Sequence, residues 1–206
     1  MRQLDLKKQY KHLYQPSARR FSVVDVPPLN FLMIDGTGDP NTSADFQAAI
    51  EALYALSYTL KFGVKQGKYG DTPYDYPVMA LEGLWWADDL AHFSVDAKGL
   101  WRWTLMIMQP AVITAAMVEA ARAAAAQKKD LPALPKLRLE PYHEGLSAQI
   151  LYYGPFKDEG PTIARLHKFI QESGHQLRGK HHEIYLSDLR RTAPDKLKTV
   201  IRQPMT

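Results

Sequence analysis

The stretch "LYYGPFKDEGPTIARLHKFIQESGHQLRGKHHEIYLSD", residues 151–188, decides how the fold is read. It opens on the tail of an apolar strand, "LSAQILYYGP", and breaks at a Gly-Pro pair that suits a turn. "DEGPTIARLHKFIQESG" then reads as a helix closed by Gly174. "KHHEIYLSD" and, further on, "LKTVIRQPM" read as two closing strands. The order is strand, helix, strand, strand.

Working outward, the first half of the chain gives the same order. "FLMIDGTG" reads as a strand ending in a glycine turn, and "DPNTSADF" starts a helix with Thr42 as N-cap and Asp45 three residues on. Phe46, Ile50, Leu53, Leu56 and Leu60 recur at steps of three and four, which makes one helical face. "YPVMALEGLWWA" and "GLWRWTLMIMQP" follow as aromatic strands. The alanine-rich "AVITAAMVEAARAAAAQKK" is helical by propensity, and "DLPALP" reads as a linker because its prolines cannot continue a helix. The last strands end alike, "MIMQP" at 106–110 and "VIRQP" at 200–204, and the strand before each carries one embedded carboxylate, Glu82 or Glu183.

The expectation is an α+β fold of two pseudo-symmetric β-α-β-β modules, 21–130 and 136–206, after a basic leader at 1–20. Together they would form a single domain with a central ligand cleft. The alternative is chance resemblance between short apolar strands.

Bulk properties narrow the function. At 206 residues the chain can bury a sizeable core, and with no cysteine it has no disulfide, thiolate zinc site or cysteine nucleophile. The net charge of +4 is spread along the chain without a helix-turn-helix, zinc-finger or RNA-binding pattern, so nucleic acid is not an expected partner. No apolar run reaches signal-peptide or membrane-span character, so no membrane association is expected and the location expected is cytoplasmic. A domain that pairs its own modules needs no second copy, and a monomer is expected.

Strand parity then bears on the two glutamates. Residues two apart share a face, so Glu183 goes with His181 and Tyr185, while Ile184 and Leu186 take the other side. If Ile184 and Leu186 pack on the module's own helix, Glu183 and Tyr185 look away from it. Glu82 shares a face with Leu84 and Trp86. On that reading Glu82 and Glu183 meet in one space walled by Trp86, Tyr185 and Trp101 or Trp103. A carboxylate among aromatic walls is disfavoured as an ion, which suits it to acid–base work or to a cationic aromatic ligand. The plainer alternative is two exposed glutamates paired with lysine or arginine.

Other features point to no separate chemistry. "DGTGDP" is a turn, lacking the amides and positive charge of a phosphate loop. His181 and His182 face opposite ways and cannot share a metal, and His143, His167 and His175 have no ligand spacing, so neither metal nor cofactor is expected. Serines occur without a nucleophile elbow. Met106 and Met108 read as core filler, with Met108 a secondary candidate for the pocket wall.

"LYYGPFKDEGPTIARLHKFIQESGHQLRGKHHEIYLSD", with "LEGLWW" and "WRWTLMIMQP" in the first half, resembles the GyrI-like small-molecule-binding domain, in its stand-alone branch. The resemblance implies a duplicated SHS2 fold and a cleft for flat, hydrophobic, often cationic aromatic molecules. Some relatives carry a DNA-binding helix-turn-helix, for which no room is expected before Phe31 here. Other relatives hydrolyse the cyclopropane of electrophilic cyclopropanoid toxins. On that basis Glu183 is expected to activate water, Glu82 to be the second carboxylate, and Tyr153 or Tyr185 to donate a proton. Trp85, Trp86 and Trp103 would stack on the substrate, Trp85 only if a bulge turns it inward. Non-catalytic sequestration or sensing of such compounds, or a gyrase-inhibitor-like interaction, are the alternatives.

Overall fold

The computed structural model describes residues 2–70, 72–87, 98–188 and 191–206. In chain order the elements are β1 (Arg2–Gln3), α1 (Leu6–Gln9), α2 (Lys11–Tyr14), β2 (Ser22–Val26), β3 (Leu29–Thr37), α3 (Ala44–Lys65), β4 (Tyr74–Asp75) and β5 (Leu81–Trp86). They continue with β6 (Arg102–Gln109), α4 (Ala115–Ala126), β7 (Arg138–Tyr142), β8 (Gly145–Tyr153), α5 (Gly160–Glu172), β9 (His181–Tyr185) and β10 (Lys198–Pro204). The element order is β3-α3-β4-β5-β6 in the first half and β8-α5-β9-β10 in the second, alike apart from the two-residue β4. The chain nevertheless forms two compact units that interleave: Tyr10–Pro28, Ala80–Trp85 and His143–Thr206 make one, and the remainder makes the other.

In the first unit, β6, β3 and β7 form an antiparallel ladder. The helix α3 buries Phe46, Ala49, Leu53, Leu56, Leu60 and Val64, the stripe expected of a helix packed on one side. Its N-cap is Ser43, whose hydroxyl accepts from the Phe46 N–H at 3.2 Å, one residue after the Thr42 expected. "DLPALP" is not a linker. Leu131, Ala133 and Leu134 are buried, and the Arg122 side chain on α4 donates to the carbonyls of Leu134 and, at 2.9 Å, Leu137. The helix α4 already ends at Ala126, before either proline, and the apolar residues of the stretch are buried in the unit.

In the second unit the sheet order is β2-β8-β10-β9-β5, antiparallel throughout. The helix α5 sets Leu166 and Ile170 on Ala148, Ile150, Ile201 and Met205. It stops after Glu172 because Gly174 takes φ +82°, a left-handed conformation that favours glycine, and the His175 N–H returns to the Ile170 carbonyl at 3.2 Å. Part of the expected leader contributes to this unit, with Leu13 and Tyr14 of α2 buried, and Ser22–Val26, expected in the first module, pairs here with β8.

Gly36 of β3 pairs with Trp103 of β6, and a Cβ there would run into the indole, which Phe46 holds edge-on at 5.1 Å. Gly36→Ala should cost about 1–3 kcal/mol by overpacking, read as a lower urea midpoint at unchanged slope. Gly99→Ala, where a Cβ meets nothing within 4 Å, is the control and should leave the midpoint in place.

Candidate functional site

The strand β9 divides the chemistry of the second unit between its two faces. It pairs with β5 so that Gly83 faces Glu183 and Leu84 faces His182, and with β10 so that Ile201 faces Glu183 and Arg202 faces His182. Directly opposed residues share a face. Glu183, His181 and Tyr185 therefore lie with Trp85, Thr199 and Ile201, on the side covered by α5. His182 and Ile184 lie with Glu82 and Arg202 on the other. This reverses the parity reading, in which Ile184 faced the helix and Glu183 looked away. It also separates Glu82 from Glu183. The physical reason is that the far face is covered too, by Leu13 and Tyr14 of α2, so an apolar residue such as Ile184 does not mark the helix side.

That far face holds a buried ionic network. His182 stands between two carboxylates, its Nε2 2.9 Å from Glu82 Oε2 and its Nδ1 2.9 Å from Glu144 Oε1. Arg202 donates from Nη1 to Glu144 Oε2 at 3.0 Å, from Nε to Gln149 Oε1 at 3.0 Å and from Nη2 to the Leu13 carbonyl at 2.6 Å. The Tyr14 hydroxyl donates to Glu82 Oε1 at 2.5 Å. Burial alone pushes the Glu144 carboxyl up, but His182 and Arg202 outweigh it and hold it at about 2. Burial likewise pushes His182 down, yet Glu144 and then Glu82 raise it to about 9. Each charge is paired and each polar edge is bonded, the condition under which a buried ion network is tolerated.

The α5 face holds a different cluster. Glu183 is mostly buried, its side chain 14% exposed, with His181 Nε2 3.1 Å from Oε1 and the Tyr185 hydroxyl donating to Oε2 at 2.8 Å. The Trp85 indole N–H donates to the same tyrosine oxygen at 3.0 Å. This bridge crosses over Gly83, where a Cβ would come 2.7 Å from the indole nitrogen and 2.9 Å from the phenol oxygen, so glycine is needed between Glu82 and Leu84. Phe156 meets Tyr185 edge-on at 5.5 Å and is itself 40% exposed. Glu159, immediately before α5, is buried and lies against Glu183 and Thr199. Burial first and Glu183 second raise Glu159 to about 9. Burial also pushes Glu183 up, but donation from His181, Tyr185 and Glu159 brings it below the usual carboxylate value. An ionised carboxylate and a protonated one thus stand side by side.

Of the residues singled out from sequence, Glu183, Tyr185 and Trp85 come together, Trp85 without any bulge because the β5–β9 register is unbroken. Glu82 belongs to the ionic network. Tyr153 faces away from Glu183, opposite Lys198, half-exposed and with the lysine ammonium 5.5 Å from its ring centre. Trp86, Trp103 and Met108 fall in the first unit; Trp103 and Met108 are buried there on opposite faces of β6. Sequence reasoning passed over Glu159, Glu144, Arg202 and Tyr14. Glu159 could have been found as the acid of the Asp-Glu-Gly-Pro helix start, while Tyr14 stood in a segment that looked like a solvated leader.

Arg202→Met should cost about 3–5 kcal/mol, since it leaves Glu144 and the Leu13 carbonyl without their donor; a smaller loss than that of Arg165→Met on exposed α5 surface would contradict the network's role. Stability should also follow pH in a definite way. His182 is raised when folded, so its contribution is complete below about 6.5 and fades as pH rises through 9. Glu144 is depressed, so its contribution is complete above 4.5 and fades as pH falls through 2. Glu159, raised when folded, adds to the decline between 4.5 and 9. Denaturation midpoints should therefore peak in mildly acid solution, and His182→Gln should flatten the alkaline decline.

Comparison with known proteins places these residues in context. A model of the GyrI-like small molecule binding domain matches residues 112–205. The chain is similar to the crystal structure of an uncharacterized conserved protein from Listeria innocua, at 36% identity over 98% of this chain and 100% of that one, with a TM-score of 0.89. It is similar to a Listeria innocua hydrolase at 36% identity over the same shares, with a TM-score of 0.87. The C-terminal domain of EcmrR, at 10% identity over 91% of this chain and 97% of that one with a TM-score of 0.55, shares the fold alone. A search of curated proteins gives no match. With a family model on its C-terminal half and relatives spanning nearly all of it, the chain belongs to the GyrI-like small-molecule-binding domain family.

Proposed function

We propose that the Glu183 cluster binds flat hydrophobic, aromatic molecules and hydrolyses the cyclopropane of electrophilic cyclopropanoid compounds. The observation that carries this reading is the pairing of a carboxylate held ionised, Glu183, with a buried carboxyl held protonated, Glu159, among Trp85, Tyr185 and Phe156. Environments that push two acids apart in this way allow acid and base steps in one site. The likeness to a Listeria innocua hydrolase supports an enzymatic reading.

In the reaction, Glu183 takes a proton from water as the water oxygen bonds to a cyclopropane carbon. The ring carbon–carbon bond breaks and its electrons pass into the conjugated carbonyl, whose oxygen takes up a proton. The sum is substrate plus one water. Glu183 is a weak base, since its donors lower its proton affinity, so the substrate's ring strain and the aromatic walls must supply most of the driving force.

Those same donors favour a second reading. Glu183 already bonded to His181 and Tyr185 suits a counter-charge for a cationic ligand that leaves unchanged. Incubation with a spirocyclopropyl-cyclohexadienone followed by mass spectrometry separates the two. Hydrolysis predicts gain of one water, reduced about 10²–10⁴-fold in Glu183→Gln with the fold intact. Unchanged compound with saturable tryptophan quenching would instead establish a binding protein.

A further inference from the structure

The proton that the opening ring must receive has no donor among the tyrosines first considered. Tyr153 lies on the opposite face of the sheet from Glu183. Tyr185 gives its only proton to Glu183 Oε2 at 2.8 Å and receives the Trp85 N–H on its oxygen, so it has none left for a ligand. Burial, and then Glu183, push its pKa well above that of a free phenol. Tyr152, from β8, donates to the Pro155 carbonyl at 3.2 Å.

Glu159 is differently placed. It is 2% exposed, its carboxyl lies against Glu183, and its Oε1 has no hydrogen-bond partner among the described residues. Two carboxyl groups in buried contact cannot both ionise, so the pair holds one proton. Glu183 is supported by two external donors, His181 and Tyr185, and Glu159 by no more than the Thr199 hydroxyl, so the proton resides on Glu159. Among the described residues, the titratable groups that face it are Glu183 and Tyr185 from β9 and Tyr152 from β8, with Asp158 adjoining in the chain, and none of these is a cation.

We propose that Glu159 is the general acid of the site, delivering the proton it shares with Glu183 to the carbonyl oxygen of the bound ligand. This rests on the hydrolase reading above and completes it. As the ring opens, the Glu159 O–H bond breaks and the proton moves to the carbonyl oxygen, while Glu183 takes a proton from the attacking water. That proton then crosses from Glu183 to Glu159 along their contact, which restores the starting state without an outside buffer.

The test combines turnover with infrared difference spectroscopy on wild type, Glu159→Gln and Glu159→Asp. Glutamine matches the neutral carboxyl in size and charge, so Glu159→Gln should fold. The expected result is a protonated-carboxyl carbonyl band at neutral pH that is missing in Glu159→Gln. Turnover in that variant should fall about 10²–10⁴-fold and the alkaline limb of the wild-type rate profile, near pH 9, should disappear. Glu159→Asp should keep the band and part of the rate. Absence of the band at neutral pH, or wild-type turnover in Glu159→Gln with the limb intact, would overturn the assignment. If wild type binds the dienone without converting it, the hydrolase reading falls separately. The acid is then decided by the band, which should shift on ligand binding and must not stay unmoved.

Discussion

The second unit depends on His182 and the three charged groups around it. A histidine and an arginine taken out of water beside two glutamates would each cost several kcal/mol if left alone. Here Glu144 binds both His182 and Arg202, and Glu82 binds the far side of the imidazole, so two acidic side chains stand against two basic ones. The network draws on β5, β9, β10 and the start of β8, and through the Leu13 carbonyl and the Tyr14 hydroxyl it fixes α2 over the sheet. Hydrophobic cover alone would let a helix of one turn slide; directed bonds to a buried guanidinium and carboxylate set its position.

Because this network occupies one face of β9, the other face is left for chemistry. His181 and His182 are neighbours in sequence and perform unrelated tasks: one supports an ionised Glu183, the other neutralises Glu82 and Glu144. The strand acts as a partition between a fully compensated ionic layer and a cluster in which a buried carboxyl remains uncompensated. Native structures rarely leave such a group, and where they do it commonly marks a working site.

The elements of the fold were legible because their signals are local. Apolar stripes gave α3 and α5, Gly174 marked a stop, and alternating or aromatic runs gave β3, β5, β6, β8, β9 and β10. Glu183 with Tyr185 was legible from the same alternation. What was not legible is which way each face looks. Ile184 and Glu183 alternate, but alternation assigns neither to the helix until the cover on the far side is known, and that cover comes from Leu13 and Tyr14, remote in sequence. Glu82 looked like a partner of Glu183 because both sit in apolar strands, yet the pairing of Gly83 with Glu183 sets the two carboxylates on opposite faces. Ser22–Val26 and "DLPALP" were hidden for a related reason: charged or proline-rich neighbours masked short apolar runs that only long-range pairing buries.

The path of the chain through the second unit has a consequence for how the protein is made. Ala80–Trp85 and Tyr10–Pro28 leave the ribosome long before His143–Thr206, to which they belong. Until β9 emerges, Glu82 lacks the His182 imidazole that balances it and β5 lacks a partner strand within the unit. The unit therefore closes in one late step of high contact order. Excision of the family-matched region, 112–205, as a free-standing piece would yield a sheet without β5 or β2, with His182 missing one of its two carboxylates.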